Sequence, residues 1–380
     1  MVDKNALLAR ASRLRGLQAC HVAHESASGY SHRIHAIHFE DGIVLAARVT
    51  LDKDTWNLDL RSIATMRRLK QLCPTIKIPS VYATDDGKRE DGVPLVLMEW
   101  VEGRPLKVWN SSLPLQCSTN FLNDLAQFLL NLWSVTLPAD DDLTSSMKYS
   151  TWLEGDICRP LRRTLSGNAR WGDPIDYLIM RSMIPHYASG IDTVQELRIA
   201  HGDTNASNYM VDEDLHLTGV VDWDWAYYAP LAGVVQYPWF LADIPGWHND
   251  GVGDDETFES DRFFLEQAIR RQAPSNTFAL QIADLLRTSK ERHFFQSAFH
   301  IVAVHKEFVS RYCARSPANL IAARNSLKEF LQSDDSLAQL PQVHRIQEYL
   351  SSVEESGPQP CNDPTNLAIE DRSFIPSQDK

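Results

Sequence analysis

The residues best suited to chemistry lie in His201-Gly202-Asp203-Thr204-Asn205-Ala206-Ser207-Asn208 and in Asp222-Trp223-Asp224. An aspartate precedes an asparagine by five positions, and a second acid follows fourteen residues later. A carboxylate beside a substrate hydroxyl can orient it and accept its proton. An asparagine carbonyl and another carboxylate supply hard oxygens for Mg²⁺, which neutralises charge on a phosphoryl group in transfer. Between Asn208 and Asp222 the chain reads Tyr209-Met210-Val211, a turn at Asp212-Glu213-Asp214, and Leu217 to Val221. That pattern predicts a short hairpin that brings Asn208 and Asp222 to one place.

This segment resembles the catalytic core of the aminoglycoside phosphotransferase and choline kinase group, whose members carry H-G-D-x4-N followed by D-W-E or D-W-D. The resemblance implies an α+β, two-lobed protein-kinase-like fold, with a small β-rich N-lobe and a larger, mainly helical C-lobe. It also implies an ATP- and Mg²⁺-dependent transfer of the γ-phosphate to a hydroxyl of a small molecule. Asp203 matches the family's catalytic base, and Asn208 and Asp222 match its metal ligands. His201 is expected to support the loop by hydrogen bonding rather than by exchanging protons. Further matches to fungal-type members are Arg170-Trp171-Gly172-Asp173-Pro174, Tyr237-Pro238-Trp239 and Ile244-Pro245-Gly246-Trp247, so the likeness spans roughly residues 25 to 312.

The elements that must position these residues follow from periodicity. Leu7, Leu8, Ala11, Leu14 and Leu17 mark an amphipathic first helix. Strands are predicted over Ser31–Phe39 and Ile43–Thr50 with a hairpin turn at Glu40-Asp41-Gly42. A helix over Leu58–Leu72 should bury Leu60, Ile63, Ala64, Met66 and Leu69, and further strands are predicted at Pro79–Tyr82 and Val93–Val101. From about Lys107 helical spacing dominates, over 122–136, 174–188, 261–272, 278–287 and 290–310. The lobes are expected to be residues 1–102 and 103–353. Residues 354–380, with four prolines and few apolar side chains, read as a disordered tail.

On the nucleotide side, Leu97 to Leu106 resembles the family's hinge, in which Glu99 and Val101 meet an adenine edge through main chain. The loop Ser26–Ser31 falls where a kinase covers the phosphates, so Ser28, Gly29, Tyr30 and Ser31 are candidate phosphate contacts. Its single glycine fits a plain hairpin loop equally well. Arg48, in Ala46-Ala47-Arg48-Val49, stands where kinases carry the phosphate-binding lysine, and a guanidinium forks onto phosphate oxygens. The family's helix offers that basic residue a glutamate; here Ser62 occupies the position and Asp59 stands nearly one turn away. Arg48 is therefore expected to lack its carboxylate brace. This leaves a rival function open: a phosphotransferase-like protein that binds nucleotide or another small ligand without transfer, or that uses the cleft for other chemistry.

On the acceptor side, Asp224, Trp239, Asp243 and Trp247 are candidate substrate contacts, the tryptophans as an aromatic wall or as core. Asp243 and the acids at 250 and 254–256 could hold an amine or form a solvated loop.

With 50 acidic and 37 basic residues the formal net charge is −13. That disfavours nucleic acid and anionic membrane as partners and is compatible with a cationic acceptor. Six scattered cysteines with no C-x-x-C pair predict reduced thiols and a cytoplasmic setting. His32, His35 and His38 alternate faces of a strand, so no zinc site is expected. A monomer or a homodimer is compatible with this reading.

Overall fold

The computed structural model describes residues 3–28, 31–88, 93–136, 146–249, 252, 257–272, 276–333 and 335–352. Helix α1 (Lys4–Arg15) starts where the Asp3 side chain accepts from the backbone of Asn5 and ends at Gly16 in the left-handed region. It is followed by β1 (Ala19–Ser28), β2 (His32–Phe39), β3 (Val44–Thr50), α2 (Trp56–Leu72), β4 (Val81–Asp85) and β5 (Leu95–Glu99). The five strands form one antiparallel sheet in the order β1-β2-β3-β5-β4.

Alternation along β3 decides what each sheet face covers. Leu45, Ala47 and Val49 join Leu7 and Ala11 of α1 in one apolar cluster. Ala46 belongs to a second, larger cluster with Ile63, Met66 and Leu69 of α2. Arg48 shares the face of Ala46, so its side chain points toward α2.

Beyond β5 come β6 (Arg104–Pro105), α3 (Leu115–Ser134), β7 (Ser146–Met147), α4 (Tyr149–Leu165), α5 (Pro174–Ser182), α6 (Ile184–Ala188), β8 (Gln195–Glu196) and β9 (Arg198–Ala200). Next are β10 (Tyr209–Val211), β11 (Leu217–Val220), β12 (Tyr227–Ala229), α7 (Leu231–Val234) and α8 (Trp239–Ala242). The chain closes with α9 (Glu259–Gln272), α10 (Thr277–Arg287), α11 (Ser289–Ser297), α12 (Val302–Tyr312), α13 (Pro317–Ser333) and α14 (Pro341–Ser352). A small sheet β11-β10-β6 and the pair β12-β9 lie among these helices. Gly103, at φ +100°, lets the chain pass under β10, where an added Cβ would sit 2.3 Å from the Val211 carbonyl oxygen. The molecule is thus a small antiparallel sheet lobe joined to a mostly helical lobe.

Two contacts tie the lobes behind the cleft. The Val220 N–H donates to the Lys77 carbonyl at 2.8 Å, and Lys77 Nζ donates to the Leu217 carbonyl at 2.6 Å.

Several elements differ from the sequence expectation. β1 continues through Ser28, which pairs with Arg33, so the loop expected to begin at Ser26 is shorter. Gly29 and Tyr30 lie outside the described residues, as does the expected tail at 354–380. The helix expected at 290–310 divides into α11 and α12. The helix expected at 174–188 is divided at Met183. α2 buries Asp59, Ser62, Ile63, Met66 and Leu69, while Leu60 and Ala64 face outward. No helix among the described residues is long and apolar enough to cross a membrane.

Candidate active site

β9 leads directly into His201, and β12 pairs beside it with Tyr227 opposite Ala200. Gly202 makes the turn between them at φ +82°. A Cβ there would lie 1.9 Å from the Trp225 carbonyl oxygen, so only glycine lets the two segments pack this closely. Buried His201 bonds the Val221 carbonyl through Nε2 at 2.8 Å and receives the Asp203 N–H at Nδ1, 3.2 Å away. Those partners define the neutral Nε2–H tautomer. Burial lowers its pKa further, so the ring is a fixed spacer between the two chemical segments.

Asp203 is held by amides. Asn208 Nδ2 donates to the Asp203 carboxylate at 3.0 Å and to its carbonyl at 2.9 Å, and Asn205 Nδ2 donates to the other carboxylate oxygen. Because the Asn208 NH₂ is committed this way, its side-chain oxygen is left to point elsewhere.

The predicted hairpin is present, with Tyr209 opposite Val220. The Val221 N–H donates to the Asn208 carbonyl at 2.9 Å, and Asp222 follows at once with φ +64°. Trp223 anchors the turn: its indole N–H donates to the Val220 carbonyl at 3.0 Å and its ring meets His201 edge-on. The Asp222 side chain is solvent-accessible, yet the packed groups around it strip part of its hydration. That desolvation, with the Asp224 and Asp203 charges, raises its pKa against the opposing pull of Arg48. Carboxylates crowded at the end of a hairpin that begins at Asn208 are the kind of oxygen donors a divalent cation takes.

Across the cleft, Arg48 is buried and firmly held, which corrects the expectation drawn from Ser62. Its Nη2 lies 3.3 Å from Asp59 Oδ1, donates to Nδ1 of His32 at 3.0 Å, and pairs with Asp224 of the other lobe. His32 Nε2–H donates to Asp59 Oδ1 at 2.8 Å, and Thr50 Oγ1 donates to Asp59 Oδ2 at 2.7 Å. Burial of Asp59 pushes its pKa up, but His32, Thr50 and Arg48 together bring it below the ordinary carboxylate range. The brace sits three residues before the expected place, on the same inward stripe of α2. The reach that looked too short from sequence is made up by the buried position of α2 against β3. His32, Asp59 and Asp224 converge closely enough to suggest a metal cluster. The Arg48 guanidinium already supplies the positive charge at that point.

Ser62 is buried with a hydroxyl that has no partner among the described residues, as are one oxygen of Asp224 and Nδ1 of His293. All three residues line a cleft of about 1000 Å³ that also includes His201, Asp203, Trp239 and Trp247. His293 is neutral, its pKa pushed down to about 3 by burial and by Arg292.

The Glu99 N–H is taken by the Ser80 carbonyl at 2.8 Å, and its carboxylate accepts from Ser80 N–H. The Val101 main chain has no hydrogen-bond partner among the described residues. The Ser31 carbonyl receives the Leu51 N–H, and Ser28 ends β1. Trp239 and Trp247 pack at 4.4 Å between centroids and still border the cleft, so they serve as both core and wall. Asp243 is paired with Arg262 and is not among the residues lining the cleft. The acids at 250 and 254–256 lie outside the described residues. Sequence reasoning missed Asp59, Thr50 and His32 as the setting of Arg48, and the exposed Trp225 on the cleft wall.

A family model described as the phosphotransferase enzyme family matches residues 29–232. No curated protein matches the chain. Among solved structures, the gentamicin complex of APH(2")-IIa aligns with a TM-score of 0.53 at 15% identity, over 89% of this chain and 99% of that one. The streptomycin–ATP complex of the same protein gives 0.51 at 14% identity, over 89% and 99%. ADP-bound APH(2'')-Ib, an aminoglycoside phosphotransferase, gives 0.51 at 15% identity, over 86% and 97%. At these identities the likeness shows a shared fold.

Proposed function

Because this chain belongs to the phosphotransferase enzyme family, we propose that it transfers the terminal phosphoryl group of ATP to a hydroxyl of a small molecule bound in the cleft. The observation that carries the reading is Asp203, a carboxylate gripped by two amides on the wall of a 1000 Å³ cleft, one hairpin away from Asp222. Asp203 accepts the acceptor's hydroxyl proton as that oxygen bonds to the γ-phosphorus. The bond from phosphorus to the bridging oxygen breaks, and ADP leaves with the electron pair. His201 keeps Asp203 and Val221 at a fixed separation and takes no proton.

The Asn208 side-chain oxygen and Asp222 fit Mg²⁺, and the raised pKa of Asp222 reflects a place that gains from a cation. When bound, the ion neutralises charge on the phosphates. Arg48 offers its guanidinium to phosphate oxygens, and the Glu99 carbonyl and Val101 N–H face an adenine edge. ATP as the donor is supported by the ATP- and ADP-bound relatives in fold. The rival without transfer rested on a missing brace for Arg48 and on the single glycine of the phosphate loop, and Asp59 removes the first of these supports.

The deciding experiment incubates the protein with ATP, Mg²⁺ and a panel of hydroxyl compounds and looks for a phosphorylated acceptor by mass spectrometry. Product made by the wild type and lost in Asp203→Asn supports the reading. Nucleotide binding with no product from a broad panel would favour the rival.

A further inference from the structure

We propose that the acceptor carries an anionic group, a carboxylate or a phosphate monoester, and that arginines on the cleft rim bind it. This rests on the phosphotransfer reading above and names the class of molecule it acts on. Arg61 of α2, Arg159 and Arg163 of α4, and Arg170 after α4 all line the cleft that holds Asp203. Arg159 and Arg163 are four residues apart and share one helix face. All four are exposed, and among the described residues none of their side chains is ion-paired or hydrogen-bonded.

The acids of the same cleft are occupied. Asp224 pairs with Arg48, Asp156 with His300 at 2.9 Å, and Asp203 takes two amides. Four arginines face three acids there, one of them already paired with Arg48, so an acidic protein, net −13, carries excess positive charge at its reaction cleft. Arg159 and Arg163 also border an adjoining hollow of about 510 Å³. Guanidinium forks match carboxylate and phosphate oxygens, whereas an ammonium acceptor would meet like charge. Trp225 lies on the same wall with 69% of its surface exposed, a flat face for an unsaturated or ring-bearing body.

The test uses 2-phenylethanol bearing, at the para position, a carboxymethyl, phosphonomethyl, carbamoylmethyl or aminoethyl group. These share a hydroxyl and a ring and differ mainly in charge. Their binding to the full chain is measured by calorimetry at fixed ionic strength with Mg²⁺ and a non-hydrolysable ATP analogue. At least one anionic probe should bind about tenfold or more tighter than the carbamoyl probe, the scale of a single charge-assisted hydrogen bond, with the amine weakest. Rising salt should narrow the gap. The comparison of the two anionic probes separates carboxylate from phosphate recognition. The double variant R159A/R163A should lose the preference and keep its nucleotide affinity.

Equal or tighter binding of the amine or the amide overturns the proposal. So does an unchanged ranking in the double variant, or no binding by any probe at millimolar concentration. Anion preference without any phosphorylated product from ATP would instead overturn the phosphotransfer reading and leave the anion site standing.

Discussion

Two side-chain amides, those of Asn205 and Asn208, hold the Asp203 carboxylate, and a neutral histidine sets its distance from Asp222. Asp203→Asn preserves shape and removes the proton acceptor. Turnover should fall by on the order of 10²–10⁴, with ATP affinity nearly unchanged by calorimetry; unchanged turnover would rule Asp203 out as base. Asp59 has become the residue to test beside Arg48. It is buried, and removing one partner of a buried ion pair costs about 3–5 kcal/mol. Asp59→Ala should lower the urea midpoint and weaken ATP binding together. Its folded pKa lies below the unfolded one, so its stabilisation is present above the ordinary aspartate range. It is lost as pH falls through the lowered value. The gap in urea midpoint between wild type and variant should close only in strongly acidic buffer. Asp222 behaves oppositely: its raised pKa means protons compete with Mg²⁺ at milder acidity. The Mg²⁺ needed for half-maximal ATP-induced thermal stabilisation should rise as the buffer is made acidic, and a flat dependence would argue against Asp222 as a ligand.

At the scale of elements, α2 shows what a sequence conceals. Its buried stripe runs Asp59, Ser62, Ile63, Thr65, Met66, Leu69 at helical spacing, but three of the six are polar. A search for apolar periodicity therefore rotates the helix toward Leu60 and Ala64, both exposed. In the sequence Asp59 is in view but set aside as a brace because it stands nearly one turn from Ser62, and its burial on the inward stripe supplies the missing reach. Ser62→Glu, which from sequence alone promised to restore a partner, should now harm: it would bury a second carboxylate beside Asp59 and Asp224. Melting temperature should fall, and a rise would mean the pocket has spare positive charge. α4 escaped notice because Pro160 stands in its middle, where a missing N–H normally ends a helix. The division between α11 and α12 was also silent. No glycine or proline marks it, Phe295, Ala298 and Phe299 keep the apolar pattern running, and a ring nitrogen of His305 bonds the Ala298 carbonyl only in the folded chain. The His201–Asn208 turn and its hairpin were legible because their chemistry requires particular residues at fixed spacing. Gly202→Ala tests that turn. The left-handed φ and the 1.9 Å approach to Trp225 predict about 1–3 kcal/mol of strain. Turnover should drop at least tenfold while far-ultraviolet circular dichroism stays native.

For the whole molecule, the lobes are joined by the Arg48–Asp224 pair and by Lys77 to β11. A ligand entering the cleft engages both lobes. ATP with Mg²⁺ at about 100 times its Kd should stabilise the native state by about 2.7 kcal/mol, seen as a rise in melting temperature that EDTA removes; no shift at millimolar ATP would sink the nucleotide assignment. The larger apolar cluster has a further consequence. It runs without a break from Ala46, Val96 and Met98 of the sheet, through Ile76 and Ile78, into α3 and the helices beyond. Neither lobe can lose its half of that cluster without exposing the other's. Scanning calorimetry should therefore record one endotherm whose van't Hoff and calorimetric enthalpies agree, rather than two overlapping peaks. Nucleotide should move that single peak as a unit, and an acceptor held by the helical lobe should protect amides in the β-sheet from hydrogen exchange.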